Sequence, residues 1–275
     1  MTRVALLQMT AGVDPFANAR VLVDAVREAS GRGAAMLFTP EMSNLLDRDR
    51  DRAARAITGE ADDPVLAAVR GAAAEHGLWV HLGSIALRRD DGRLANRGFV
   101  IDDRGAIRAR YDKLHLFDVD LPTGERWRES AAYAPGEGAS VAETPAGSLG
   151  LSICYDLRFP ALYQALSEAG ATVLAVPSAF TRPTGAAHWR TLLCARAIES
   201  AAFVIAAAQT GAHEDGRETY GHSLVVDPWG ETLLDMGEAS GLGLAEIDLG
   251  RVAEVRGRLP VLAHRRPIPP VEPAR

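Results

Sequence analysis

Short unbroken apolar runs alternate along this chain with stretches whose apolar side chains recur every three to four residues. Residues 3–9, centred on Val4-Ala5-Leu6-Leu7, have the pattern of a strand buried on both faces. Residues 18–30 then place Leu22, Ala25, Val26 and Ala29 at helical spacing, and Gly31 stops the helix. Residues 35–39 predict a second buried strand, ending at Pro40-Glu41. A helix over 64–76 carries Val65, Leu66, Val69, Ala72 and Ala73 on one stripe, Gly77 closes it, and residues 78–87 predict a third strand.

The middle of the chain changes character. Residues 96–101 and 106–111 flank Asp102-Asp103-Arg104-Gly105, a hairpin signal, and residues 141–144 and 149–153 flank Pro145-Ala146-Gly147-Ser148 in the same way. Between them, residues 114–138 read as irregular, and connections of that length are usually functional loops or unrecognised elements. Alternation then returns: a helix over 161–169, a strand over 172–176, a helix over 187–201 and a strand over 203–208. Residues 222–226 and 232–235 flank Asp227-Pro228-Trp229-Gly230 as a third hairpin, residues 243–247 add a strand, and a Pro-rich tail begins after Leu259. There is no internal repeat and no compositional break that would mark a linker. The pattern predicts one α/β domain spanning 1–275, its last fifteen or so residues a tail at a subunit interface. Hairpins alternating with helical crossovers favour two mixed sheets with helices outside over one doubly wound sheet.

Composition narrows the function. Hydrophobic residues make up 47% and charged residues 24%, an ordinary globular balance. A formal charge of -6 argues against nucleic acid, which needs a basic surface. The mixed run Arg48-Asp49-Arg50-Asp51-Arg52 reads as a solvated stretch. No secretory leader and no bilayer-length apolar run are visible, and two cysteines and seven histidines form no metal-ligand spacing. A cytoplasmic protein without metal or cofactor is the expectation.

Candidate chemistry centres on Cys154, which follows the apolar run 149–153 and precedes Tyr155-Asp156-Leu157-Arg158-Phe159-Pro160. A strand-to-helix turn at a sheet's carboxyl end is where α/β proteins present reactive side chains. A lone cysteine is more often a core residue, and Cys194, amid Leu192, Leu193 and Ala195 of a helix, fits that description. A cysteine nucleophile needs a base or a cation beside it. His188 begins a helix with no Asn or Asp to orient it, so a carboxylate is the other solution. Glu41 ends a buried strand and Lys113 follows the hairpin strand 106–111; each alone would pass for a surface residue.

Together these residues carry a resemblance. Thr39-Pro40-Glu41, the stretch Tyr111-Asp112-Lys113-Leu114-His115-Leu116-Phe117-Asp118 and Ser152-Ile153-Cys154-Tyr155-Asp156-Leu157-Arg158-Phe159-Pro160 resemble the three catalytic signatures of the nitrilase superfamily of carbon–nitrogen hydrolases. Asn96, Arg128-Glu129-Ser130, Pro135-Gly136 and Val176-Pro177-Ser178-Ala179-Phe180 fall in the same order, so the match covers nearly the whole chain. The resemblance implies an α-β-β-α sandwich that dimerises, with Glu41 as general base, Lys113 as transition-state stabiliser, Cys154 as nucleophile and Glu129 close to all three. Trp127 stands where relatives often carry Tyr. The implied reaction is hydrolysis of an amide to acid and ammonia through a thioester, with the oxyanion held by Lys113 and a backbone N–H near Tyr155.

Further stretches, among them 184–189, 195–199, 206–209, 220–223 and the tail His264-Arg265-Arg266-Pro267, resemble the Nit branch. That branch includes ω-amidase and deaminated glutathione amidase; Gln209 and the tail look closer to the second. Such substrates carry a carboxylate, for which Arg158 is a candidate clamp, unless it pairs with Asp156 or another acid instead. Phe180 and Thr181 are candidate pocket residues, and His222 reads as a satisfied strand histidine. The competing readings are an ω-amidase, an N-carbamoyl amidase and a catalytically silent scaffold.

Overall fold

The computed structural model describes residues 1–120, 124 and 126–271. Residues 121–123 and 125 of the stretch read as irregular, and the last four residues of the expected tail, lie outside the described residues. The first part of the chain runs β1 (Thr2–Gln8), α1 (Pro15–Gly31), β2 (Met36–Phe38), α2 (Arg50–Ala56), α3 (Pro64–His76), β3 (Trp79–Arg88), β4 (Leu94–Ile101) and β5 (Ile107–Asp112). A short ribbon follows, β6 (Asp118–Asp120) with β7 (Arg126–Arg128), then β8 (Val141–Thr144), β9 (Gly147–Leu151) and α4 (Pro160–Glu168). The remainder is β10 (Val173–Ala175), α5 (Arg182–Ser200), β11 (Phe203–Ala206), β12 (Thr210–Ala212), β13 (Glu218–Tyr220), β14 (Leu224–Val226), β15 (Thr232–Asp235), β16 (Gly241–Ile247) and α6 (Leu249–Arg258).

Two six-stranded sheets result, ordered β16-β1-β2-β3-β4-β5 and β15-β14-β11-β10-β9-β8. Each has a parallel centre, β1-β2-β3 and β9-β10-β11, reached by helical crossovers, and antiparallel strands at its edges. The side-chain period of two explains the unbroken apolar runs. Val4, Leu6, Met36 and Phe38 join one cluster with Leu149, Leu151, Val173 and Phe203 of the other sheet. Their strand neighbours Ala5, Leu7 and Leu37 face away, against Leu22, Val26, Val65 and Val69 of α1 and α3. On the far side Leu162, Tyr163, Trp189 and Leu193 of α4 and α5 cover the second sheet. The layers are therefore helix, sheet, sheet, helix, as expected.

The differences from the sequence reading have local causes. The helix expected over 187–201 begins five residues earlier, at Arg182, because Pro183 in its first turn starts a helix instead of breaking it. The charged run 48–52 is solvated but leads into a helix from Arg50: Asp49 caps α2 by accepting from the N–H groups of Asp51 and Arg52. The stretch 114–138 contains the β6–β7 ribbon and a 3-10 turn at Glu129–Ala131. α6, with only Val252 and Val255 buried, carries too narrow an apolar stripe to announce itself. The tail lies along α4 and α5, where Arg265 donates to the Gln164 carbonyl and the Ser167 hydroxyl, both at 3.1 Å.

Candidate active site

The carboxyl ends of the parallel strands bring the predicted residues together. Glu41 leaves β2, Cys154 leaves β9 and Ala179 leaves β10, while Lys113 comes from the end of β5. The two sheets approach closely here: a Cβ on Gly83 of β3 would lie 2.0 Å from the Thr39 carbonyl oxygen and 2.5 Å from Pro177 Cβ. Only glycine permits that contact.

Cys154 adopts φ 50°, a left-handed conformation that costs a non-glycine residue energy. Its N–H donates to the Pro177 carbonyl at 2.9 Å, and it opens the 3-10 turn Cys154–Arg158. Asp156, fully buried, holds that turn. Its carboxylate accepts from the Ile153 N–H at 2.9 Å, the Tyr111 hydroxyl at 2.7 Å and the His115 N–H at 3.0 Å, with His115 Nδ1 at 2.7 Å. Both segments flanking the chemistry, 111–115 and 153–156, thus hang on one side chain. Asp156 makes no pair with Arg158, so that alternative for Arg158 is corrected.

Lys113 Nζ lies 2.9 Å from Glu41 Oε1 and 2.9 Å from Glu129 Oε2. Asn96 Nδ2 also donates to both carboxylates, at 2.9 and 3.2 Å. The Ala179 N–H donates to Glu41 Oε2 at 2.9 Å, and Gln209 Nε2 donates to the Glu41 carbonyl at 2.9 Å. The Cys154 thiol lies beside the Glu41 carboxylate. Glu129 is fixed further by the Phe117 N–H at 2.6 Å.

These contacts set the resting charges. Burial pushes Glu41 up, but Lys113 and the hydrogen bonds from Cys154, Lys113 and Asn96 outweigh it and hold the carboxyl below its usual range. Burial opposes the charge on Lys113, but Glu129 and Glu41 overcome that and raise its pKa. Burial, then the negative Glu41, push the Cys154 thiol well up, against Lys113. The resting site is therefore a carboxylate, an ammonium and a neutral thiol beside the carboxylate.

A cavity of about 790 Å³ opens onto this cluster. Tyr155, Phe180 and Thr181 line it, and so does Arg158, whose guanidinium lies 5.4 Å over the Phe180 ring and 3.4 Å from His188 Nδ1. Phe180 also packs on Trp189, so it serves core and cavity together. His222 is structural: it pairs with Asp235 at 3.0 Å and stacks on Tyr220. Cys194 sits half-buried at the margin of the core, whereas Cys154 is the buried cysteine. Sequence reasoning missed Tyr133, Phe117 and the α2 residues of the cavity wall; no chemical signal marks them, because shape places them there.

Residues 3–257 match the carbon–nitrogen hydrolase family. The chain belongs to that family. This carbon–nitrogen hydrolase is 42% identical to the deaminated glutathione amidase of Bos taurus over 96% of its length and 82% of the relative's. Its fold superposes with a TM-score of 0.89 on the Caenorhabditis elegans NitFhit protein, 39% identical, covering 96% of the chain and 65% of that longer protein. An amidase of Nesterenkonia sp. AN1, 28% identical, has a TM-score of 0.78 over 94% of this chain and 98% of its own. That structure shows acrylamide added at its active-site cysteine. The chain is thus a hydrolase of carbon–nitrogen bonds with the chemistry of a cysteine amidase.

Proposed function

We propose that this enzyme hydrolyses the amide of a small keto acid, deaminated glutathione or a close analogue, with a Glu41–Lys113–Cys154 triad assisted by Glu129. The observation that carries the reading is the meeting of Cys154 with Glu41 and Lys113, themselves paired at 2.9 Å, in the wall of a cavity that also presents Arg158.

Glu41 takes the thiol proton as Cys154 Sγ attacks the amide carbonyl carbon, so a free thiolate need never form. Charge builds on the carbonyl oxygen, where Lys113 Nζ and the Tyr155 N–H are the donors. A backbone N–H in the first turn of a 3-10 helix lacks an intrahelical acceptor. Losing one such donor typically costs about 100- to 1000-fold in rate. Glu41 then protonates the nitrogen as the carbon–nitrogen bond breaks. A primary amide releases ammonia and a secondary amide releases an amine. Water, deprotonated by Glu41, attacks the thioester; the acid leaves and the thiol is restored. Lys113, doubly paired and buried, keeps its charge throughout and Glu129 orients it. Arg158 offers a bidentate clamp for the keto acid's carboxylate, and Phe180 and Thr181 shape the adjoining wall.

The chain acts along its whole length as one catalytic domain, in the cytoplasm and as a homodimer. Two unpaired cysteines suit a reducing compartment. The half-exposed Ile198, Trp229 and Leu259 supply apolar area for a partner copy.

The decisive experiment assays deaminated glutathione, α-ketoglutaramate and an N-carbamoyl amino acid with wild type, Cys154→Ala and Cys194→Ala. Turnover of the first, lost by about 10,000-fold or more in Cys154→Ala and kept in Cys194→Ala, supports the reading. Faster turnover of the second or third replaces it with an ω-amidase or a carbamoyl amidase. No turnover of any amide would leave the silent scaffold.

A further inference from the structure

Behind the cavity wall, a buried histidine fixes the hydrogen-bonding character of a residue that the chemistry above does not use. Thr219, on β13, lines the cavity that holds Cys154 and is 2% exposed. Its Oγ1 lies 2.7 Å from Nε2 of His213, and Nδ1 of the same ring lies 2.8 Å from the Ala11 carbonyl oxygen. A carbonyl only accepts, so Nδ1 carries a proton. Burial, with the Arg217 charge behind it, outweighs the Ala11 hydrogen bond and holds His213 below its usual range, so the ring is neutral near pH 7. Nε2 is then an acceptor, and the Thr219 hydroxyl must donate to it.

That assignment makes Thr219 Oγ1 an acceptor alone toward the cavity, because its one proton is committed to His213. The Glu41 and Glu129 oxygens are already engaged by Lys113, Asn96 and the N–H groups of Ala179 and Phe117. Thr219 is placed by the segment that also holds the base. The Ala179 N–H donates to Glu41 Oε2, the Phe180 carbonyl accepts from the Tyr220 N–H at 3.0 Å, and Thr181 pairs with Thr219 itself. The anchor is shared as well: the Ala11 N–H donates to Gln209 Oε1 at 2.9 Å, and Gln209 holds the Glu41 carbonyl. An amide nitrogen gains a usable lone pair only in the tetrahedral intermediate. It takes the Glu41 proton only when that lone pair faces Glu41 and its N–H faces elsewhere.

We propose that Thr219 Oγ1, oriented by His213, accepts the N–H of the scissile amide and so turns the nitrogen's lone pair toward Glu41. Thr219 touches the substrate; His213 does not, and is a positioning residue. The inference rests on the amidase reading above and adds to it a determinant of selectivity for amides over esters, which have no N–H to offer.

The test compares kcat/KM, which reports the step in which the nitrogen leaves, on deaminated glutathione and on its ester counterpart, where oxygen replaces the scissile N–H. Thr219→Val keeps the shape and lacks the acceptor. It should slow the amide by about tenfold or more and change the ester by about twofold at most. Thr219→Ser should keep the wild-type selectivity. His213→Asn keeps a donor for the Ala11 carbonyl and frees the Thr219 hydroxyl to turn its proton into the cavity. The amide should then slow by about threefold or more, while the ester, whose oxygen accepts, should not. Should His213→Asn fail to fold, the two Thr219 variants decide the question. Proportional loss on both substrates, or unchanged amide turnover by folded Thr219→Val, would overturn the acceptor role and leave the amidase reading standing. No turnover of deaminated glutathione by the wild type would sink both.

Discussion

At the scale of single residues, the proposed site has the protonation of three groups set before substrate arrives. Glu41 holds its negative charge below the usual carboxylate range, so its base form is lost only as pH falls below about 4.5. The thiol is pushed the other way, above 9.0, so no thiolate accumulates on the alkaline side. kcat/KM should therefore be flat between about pH 5 and 9, with its acid limb below the plateau. A rise through pH 8 would mean that thiol ionisation, not Glu41, limits attack. The same coupling predicts that iodoacetamide labels Cys154 of the wild type faster than Cys194, and that Glu41→Gln slows labelling at Cys154 by about tenfold or more. Equal labelling of Cys154 in wild type and variant, followed by mass spectrometry, would refute the coupling. Glu41 and Cys154 were legible as candidates because each follows an apolar run, and Lys113 because it follows a predicted strand in a motif that falls in order between them. The work of Asn96 and Gln209, which hold Glu41 by its side chain and its carbonyl, was not. An amide side chain has no periodic or compositional signature; its task depends on what stands opposite.

At the scale of elements, two close approaches carry the geometry. Asp156 receives four donor groups from the segments before Lys113, after Lys113 and before Cys154. Asp156→Asn swaps one acceptor oxygen for a donor and removes the charge, which should destabilise the fold by about 2–4 kcal/mol. Urea unfolding measures this, and a variant as stable as wild type would show that the turn is held elsewhere. Gly83→Ala should cost about 2 kcal/mol or more, because its Cβ would meet backbone oxygen at 2.0 Å and not a side chain that can swing aside. Strands and long helices were legible here from their periods. Short elements such as β6 and β7 were not, since three residues cannot display a period and tertiary pairing decides them.

At the scale of the whole molecule, charge is distributed against its average. The chain carries -6 overall, yet the described cavity wall includes eight arginines and Lys113 against five carboxylates. A focused positive field in a recess draws acidic substrates and is screened by salt. Raising ionic strength from about 0.05 to 0.5 M should increase KM for an acidic amide several-fold while a neutral amide changes little. Equal salt effects on both would place the recognition outside electrostatics.

The order of apolar runs, their lengths and the polar residues that end them determined the two-sheet sandwich and the carboxyl ends where chemistry gathers. These are local properties: a strand buried on both faces must be apolar throughout, and a helix on a sheet must carry one stripe. Only the tertiary structure decided the protonation of Glu41 and Cys154, the bracing by Asp156 and Gln209, and the concentration of arginines around an acidic chain's one described catalytic cavity. Burial, distance and field depend on which distant residues end up facing each other, and that is a property of the packed fold, not of spacing along the chain.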